Sequence, residues 1–244
     1  MDIRWEDSGW ERLGDGIGRR RLPVWDATAG LVVGEDAVLL YDTGATLREG
    51  AEIRAQAQAL CGGRRVTHIA LSHPHFDHVL GTAVFAGARV YGAAGIDRVL
   101  VPGSEQLRAS AVRHGVEGAA AAEAADLLVV PQQAVADEWT VPLGGGREVR
   151  LVNVGPGHSG HDLVALVPGA AGSPAVLFCG DLVEESGEPQ AGDDAVGSRW
   201  PSVLDRLLEL GGEDAVYVPG HGAVVDAAFV RHQRAELARR FAVS

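Results

Sequence analysis

Residues 71–81 read Leu-Ser-His-Pro-His-Phe-Asp-His-Val-Leu-Gly, and the reading of the whole chain turns on them. His73, His75, Asp77 and His78 place four metal-competent side chains within six consecutive residues. The apolar run 66–71 ahead of them has the composition of a buried strand, and Pro74 ends it because proline has no N–H to give to a ladder. The ligand-type residues are therefore expected on an extended or tight-turn segment at a strand's end. In such a segment residues two apart point the same way, so His73 and His75 can share one ion while Asp77 and His78 serve a second. Zinc takes about four nitrogen, oxygen or sulfur ligands per ion. Four residues are too few for two ions, which requires further His and Asp elsewhere, at other strand ends.

Working outward, the chain supplies them. An apolar run at 152–154 leads into Gly155-Pro156-Gly157-His158, another at 175–179 ends in Gly180-Asp181, and a third at 215–218 runs into Pro219-Gly220-His221-Gly222. Upstream, the run 37–41 ends in Asp42-Thr43-Gly44. Each turn delivers one side chain of the required kind.

A strand-end Asp, HxHxDH, a His in a PGH turn, a GD and a late PGH, in that order from Asp42 to His221, resemble the metallo-β-lactamase superfamily. The resemblance implies an α/β protein with a four-layer αβ/βα sandwich and a metal site at one edge between the sheets. It implies that His73, His75 and His158 hold one metal, that Asp77, His78 and His221 hold the other, and that Asp181 bridges them. Asp42 would orient a ligand through hydrogen bonds, or else merely cap a turn. The implied cofactors are two divalent ions per chain, zinc first, with iron or manganese as alternatives. Asp77 and Asp181 are the catalytic candidates, with Asp181 also the candidate proton shuttle. Paired divalent ions lower the pKa of a shared water from ~15.7 toward ~7, which provides a nucleophile without a Ser-His-Asp or Cys-His arrangement.

The expected activity is hydrolysis of a small ester, thioester or lactone. The metal motifs also resemble those of hydroxyacylglutathione hydrolase, but that family adds a C-terminal helical domain and basic groups including lysine, whereas here 23 residues follow His221 and there is no lysine. The β-lactamases of the superfamily generally replace or lack the bridging Asp and are exported. The alternatives are a mononuclear iron enzyme resembling persulfide dioxygenases, or a β-lactam or phosphodiester hydrolase.

The 244 residues, 46% hydrophobic and 22% charged, suffice for a single domain over 1–244. A net charge of -12, with every basic residue an arginine, disfavours nucleic acid and points to a small-molecule partner. Cys61 and Cys179 are too few for a disulfide framework and are read as free buried thiols. The first residues lack a signal-peptide pattern, and no apolar run approaches the ~20 residues of a membrane span, so a cytoplasmic location is expected. The oligomeric state is left open.

Strands are predicted at 10–13, 18–24, 30–34, 37–41, 89–91, 139–143, 148–154, 163–167, 175–179 and 215–218, and helices at 46–60, 203–210 and 227–241. A short helix is expected at 81–85, and one or two alanine-rich helices at 105–128, broken near Gly115 and Gly118. The acidic stretch 184–194 reads as a loop at the site mouth, and 105–128 and 184–198 are lid candidates. Arg199 could offset its charge locally, and Trp200 either walls the site or packs a helix start. His68, His114, His161 and His232 fall outside the six-ligand scheme, with His161 the nearest to the site by its spacing from His158.

Overall fold

The strands at the middle of the two sheets, such as 38–41, 163–167 and 176–184, are buried on both faces, which is why they appear as continuous apolar runs. The computed structural model describes residues 4–170 and 172–243; the first three residues, Ala171 and Ser244, which the expected 1–244 domain includes, lie outside the described residues. The first sheet lies in sequence order: β1 (Glu11–Gly14), β2 (Ile17–Arg21), β3 (Thr28–Val33), β4 (Val38–Tyr41), β5 (His68–Ala70), β6 (Arg89–Ala93) and β7 (Gln133–Val135). Its first four strands form an antiparallel meander, and β4 to β7 run parallel. The second sheet contains β8 (Glu138–Gly144), β9 (Arg147–Asn153), β10 (Leu163–Val167), β11 (Val176–Glu184) and β12 (Val216–His221), antiparallel except for the β11–β12 pair.

Alternation along each strand sorts its side chains between layers. In β4, Leu39 and Tyr41 enter the space between the sheets with Phe178 and Val218, while Val38 and Leu40 point the other way. That outer face is covered by α1 (Leu47–Leu60), α3 (Asp97–Arg113) and α4 (Gly118–Asp126), which contribute Ile53, Leu100, Leu107, Ala121 and Ala124. The outer face of the second sheet packs on α5 (Trp200–Gly211) and α6 (Ala227–Arg240) through Leu204, Leu207, Val230 and Leu237. The four layers expected from the sequence are present. Thr46 caps α1 by accepting from Glu49 N, and the Glu49 carboxylate accepts from Ala45 N, so the helix begins where the Thr-x-x-Glu pattern places it. None of the described helices is long and apolar enough to cross a membrane.

Several boundaries differ from expectation, each for a local reason. Strand β2 stops at Arg21, because Val24 and Asp26 adopt φ of 81° and 60° and turn the chain back toward β3. Helix α3 begins eight residues before the predicted 105, carrying Pro102 in its second turn. Strand β7, only three residues long with a partly exposed pattern, was too short to read. Strand β11 does not end at Cys179; the ladder shifts register at Gly180, which sits at φ 57°, and continues to Glu184. Pro219 is tolerated within β12 because β12 is the sheet's edge.

The sheets are joined beside the motif. Leu163 N donates to Ser72 O at 2.7 Å, and Tyr41 Oη donates to Leu163 O at 2.8 Å. This contact holds the ends of β4 and β5 against β10.

Candidate metal centre

The extended geometry expected for 73–78 holds only as far as His75. Phe76–Val79 forms a single helical turn, α2, with His75 as its N-cap. That turn, rather than two-residue alternation, directs Asp77 and His78 away from His73 and His75. Asp181 likewise lies within β11 rather than after it, and His221 is the last residue of β12.

The side chains nonetheless meet, in two sets. Donor atoms of His73, His75, His158 and Asp181 lie within 4.8 Å of one another, and so do those of Asp77, His78 and His221. The Asp181 carboxylate stands between the sets. Its Oδ2 is 3.6 Å from His73 Nε2, 3.5 Å from His158 Nε2 and 3.2 Å from His221 Nε2, and its Oδ1 is 3.2 Å from His78 Nε2. Asp77 Oδ2 lies 3.5 Å from His78 Nε2 and 3.4 Å from His221 Nε2.

Each imidazole has one nitrogen held from outside while the other turns inward. His73 Nδ1 bonds Ser72 Oγ at 2.8 Å, His75 Nε2 bonds Asp194 Oδ2 at 3.1 Å, and His78 Nδ1 bonds Asp42 Oδ2 at 2.8 Å. His158 Nδ1 donates to Gln190 O at 3.1 Å and His221 Nδ1 to Trp25 O at 2.7 Å. An imidazole that donates outward through one nitrogen carries a lone pair on the other. His75 Nδ1 nevertheless lies 3.1 Å from both His73 Nε2 and His158 Nε2. Nitrogens tetrahedrally bound to zinc at ~2.0–2.1 Å are separated by about 3.3 Å. Among the described residues, His78 Nε2 and Asp181 Oδ1 are buried with no hydrogen-bond partner. Converging lone pairs and orphaned buried polar atoms fit a cation between them, and the N/O donor set suits zinc.

Asp42 does more than cap a turn. It holds φ 60°, accepts from Ser72 N at 2.7 Å through Oδ1, and so fixes the end of β5 and the His78 ring together.

Charge is concentrated here. Burial alone would neutralise His78, but the carboxylates of Asp181, Asp77 and Asp42 outweigh it and raise its pKa well above the usual value. Burial opposes protonation of His221 too, yet Asp181 and Asp77 lift it to about 11. In His73 and His158 burial prevails, pushing the first well down and the second to about 4. Asp77 and Asp181 are held well below the ordinary carboxylate range; burial acts against this, and the surrounding histidines, His78 foremost, overcome it. A divalent cation bound here would take over the charge pairing that these carboxylates make with the histidines.

The centre opens onto a cleft of about 1050 Å³ between α3 and the 184–194 segment. Residues from both lid candidates line it, among them Gln106, Leu107, Ser110, Gln190 and Asp194. His114, outside the six-ligand scheme, lines it and stacks on Phe76 with ring centroids 5.3 Å apart. His161 instead bonds Ala94 O, and Trp200 is fully buried, packing edge-on against His158. Neither these two nor Arg199 lines the cleft. His68 pairs with Thr67 and Tyr91, while His232 faces Glu236 on α6. Cys61 and Cys179 are free and buried.

Sequence reasoning missed Asp162, Asp194 and the carbonyls of Trp25 and Gln190. Backbone acceptors leave no mark in side-chain identity. Asp162 folds back on the turn that precedes it, whereas the local Asx pattern bonds forward, so its role carries no sequence signal. It is buried, accepting from Gly157 N at 2.8 Å, Ser159 N at 3.1 Å and Ser159 Oγ at 2.7 Å. Burial pushes its pKa to about 7 against those donors. Asp162→Ala strands them, so the metal-free variant should lose about 1–3 kcal/mol in urea denaturation. Metal content should fall with it as the His158 turn loosens; unchanged midpoint and metal content would remove Asp162 from the site's support.

The metallo-beta-lactamase superfamily model matches residues 22–221, from the start of the β2–β3 connection to the last site histidine. A metallo-beta-lactamase from Pontibacter korlensis shares the fold with a TM-score of 0.72 at 18% identity, covering 93% of this chain and 97% of that one. The metallo-beta-lactamase FIM-1 from Pseudomonas aeruginosa, in its mono-zinc form, gives a TM-score of 0.69 at 18% identity, with 96% of each chain covered. With a family match enclosing both donor sets and the four-layer fold around them, this chain belongs to the metallo-beta-lactamase superfamily as a metallo-hydrolase.

Proposed function

We propose that this enzyme hydrolyses a small neutral ester, thioester or lactone with the help of two divalent cations, zinc by the donor set. His73, His75 and His158 would hold one, Asp77, His78 and His221 the other, and Asp181 would bridge them. The observation that carries the reading is the outward anchoring of all five imidazoles around two unpartnered buried atoms. The FIM-1 neighbour, described in a mono-zinc form, supports zinc as the metal. When bound, such cations lower the pKa of a coordinated water and polarise a carbonyl.

The chain's own residues do the rest. Asp42, Ser72, Asp194 and the carbonyls of Trp25 and Gln190 fix which ring nitrogen faces inward. Asp181, with Oδ1 unpartnered, is the carboxylate placed to take a proton during turnover. Trp25, Phe76, Val99, Leu100 and Leu107 give the cleft an apolar side suited to an uncharged acyl group. Glu184, Asp193 and Asp194 set negative charge on the opposite side against Arg113 of α3, a balance that disfavours phosphodiesters.

The test is a panel of esters, thioesters, lactones, β-lactams and phosphodiesters, assayed on zinc-loaded and iron-loaded protein with elemental analysis. About two zinc ions per chain and the highest kcat/KM on a neutral carboxylic substrate are expected. One iron per chain with oxygen consumption, or a phosphodiester as best substrate, would overturn the proposal.

A further inference from the structure

His221 leads into a turn whose next residue, Gly222, stands at φ 99°. Glycine enters that region freely and other residues rarely do, so the residue after the candidate ligand is the one with the greatest intrinsic freedom to rotate. The turn is fixed from outside. The peptide that joins Gly222 to Ala223 is held at both poles: Arg19 Nη1 donates to Gly222 O at 2.6 Å, and Ala223 N donates to Glu185 Oε2 at 2.7 Å. A cation at the carbonyl and a carboxylate at the N–H both favour the same orientation of the peptide dipole.

The two charges come from different sheets. Arg19 lies on β2, its side chain only 2% exposed, and Glu185 follows the last residue of β11. Arg19 is itself aimed by Glu11 of β1, whose Oε2 accepts from Arg19 Nε at 2.7 Å. Glu185 grips the turn twice, since its own N–H donates to His221 O at 2.9 Å. A guanidinium taken out of water is costly, and this one makes its second hydrogen bond to a neutral carbonyl rather than to another carboxylate. The Trp25 carbonyl orients the His221 ring, but it leaves the backbone beyond that ring to other groups.

We propose that Arg19 and Glu185 form a charged clamp on the Gly222–Ala223 peptide, and that the clamp positions His221 for the cation it shares with Asp77 and His78. Both are positioning residues, because neither lines the cleft. The inference rests on the two-cation reading above. His73, His75 and His158 stand on other turns, so the clamp serves one half of the centre.

The experiment uses full-length wild type, Arg19→Met, Glu185→Ala and the double variant, checked for fold by circular dichroism. Zinc is titrated against a competing chelator, and amide exchange is followed by NMR in the metal-free proteins. Each single variant should weaken one of two zinc ions on the order of 10-fold, the lower end of the range for loss of an outer partner, and leave the other as in wild type. The double variant should be little worse than either single one, because both side chains act through one peptide. Exchange at Ala223 N should quicken in Arg19→Met although its acceptor Glu185 is still present, and by more than any change at the core amide of Leu166. Glu185→Ala alters an exposed side chain and carries the zinc test if Arg19→Met does not fold. Zinc affinities unchanged, both ions weakened equally, or losses that simply multiply in the double variant would overturn the clamp. A wild type that binds fewer than two ions would overturn the two-cation reading, and the exchange at Ala223 then decides the clamp alone.

Discussion

Asp181→Ala should reduce zinc content from two ions per chain to one or fewer and lower kcat/KM on the order of 10³-fold. The size follows from position. Among the described residues Asp181 is the one carboxylate within 3.6 Å of donor atoms from both sets, so its loss removes a shared ligand, the negative charge that lets two cations approach, and the proton acceptor. Several kcal/mol of transition-state stabilisation by metal chemistry corresponds to a factor of this order. Asp181→Asn keeps the volume and one acceptor oxygen but not the charge, and should fall between. Elemental analysis and steady-state kinetics on the same preparations check both. A variant that retains two ions and wild-type turnover would show that the carboxylate bridges nothing.

Gly220→Ala should inactivate the enzyme almost as completely without altering any candidate ligand. A Cβ at position 220 would lie 1.9 Å from Asp181 Oδ1, and 2.7 Å from both Asp181 N and Gly180 C. The first contact could relax by moving the carboxylate out of the centre. The other two are backbone, so β11 and β12 would also have to separate. Overpacking of this kind costs about 1–3 kcal/mol. A lower urea midpoint together with loss of bound zinc is expected, and a stable, fully metallated Gly220→Ala protein would be the contrary result. The glycine of the PGH turn is thus required for the close approach of two strands rather than for a left-handed conformation.

The parts of this protein that could be read from its sequence are those whose physics is local. His73, His75, Asp77 and His78 announce themselves by density, and His158, Asp181 and His221 by their place at the end of apolar runs; the structure brings all seven together. Ile53 and Ala57 mark the buried side of α1 through helical spacing. What escaped depends on distant partners. The turn at α2 was hidden by Pro74, which suggested an extended stretch. The continuation of β11 past Cys179 needs β12 beside it, and nothing in Gly180-Asp181 signals that. Asp194 lies 119 positions from His75 in a stretch without periodicity, so only the folded chain reveals the pairing. His114 and His161 exchanged their expected places because proximity in sequence to His158 says nothing about which helix borders the cleft.

The division of labour between the sheets has a further consequence. Residues 11–135 build the first sheet and carry His73, His75, Asp77 and His78, whereas 138–221 build the second and carry His158, Asp181 and His221. Each half of the polypeptide therefore owns an incomplete set of donors, and the seam between them crosses the centre beside the Leu163–Ser72 contact. Bound ions would act as rivets through that seam, making their capture a report on whether the two halves have docked.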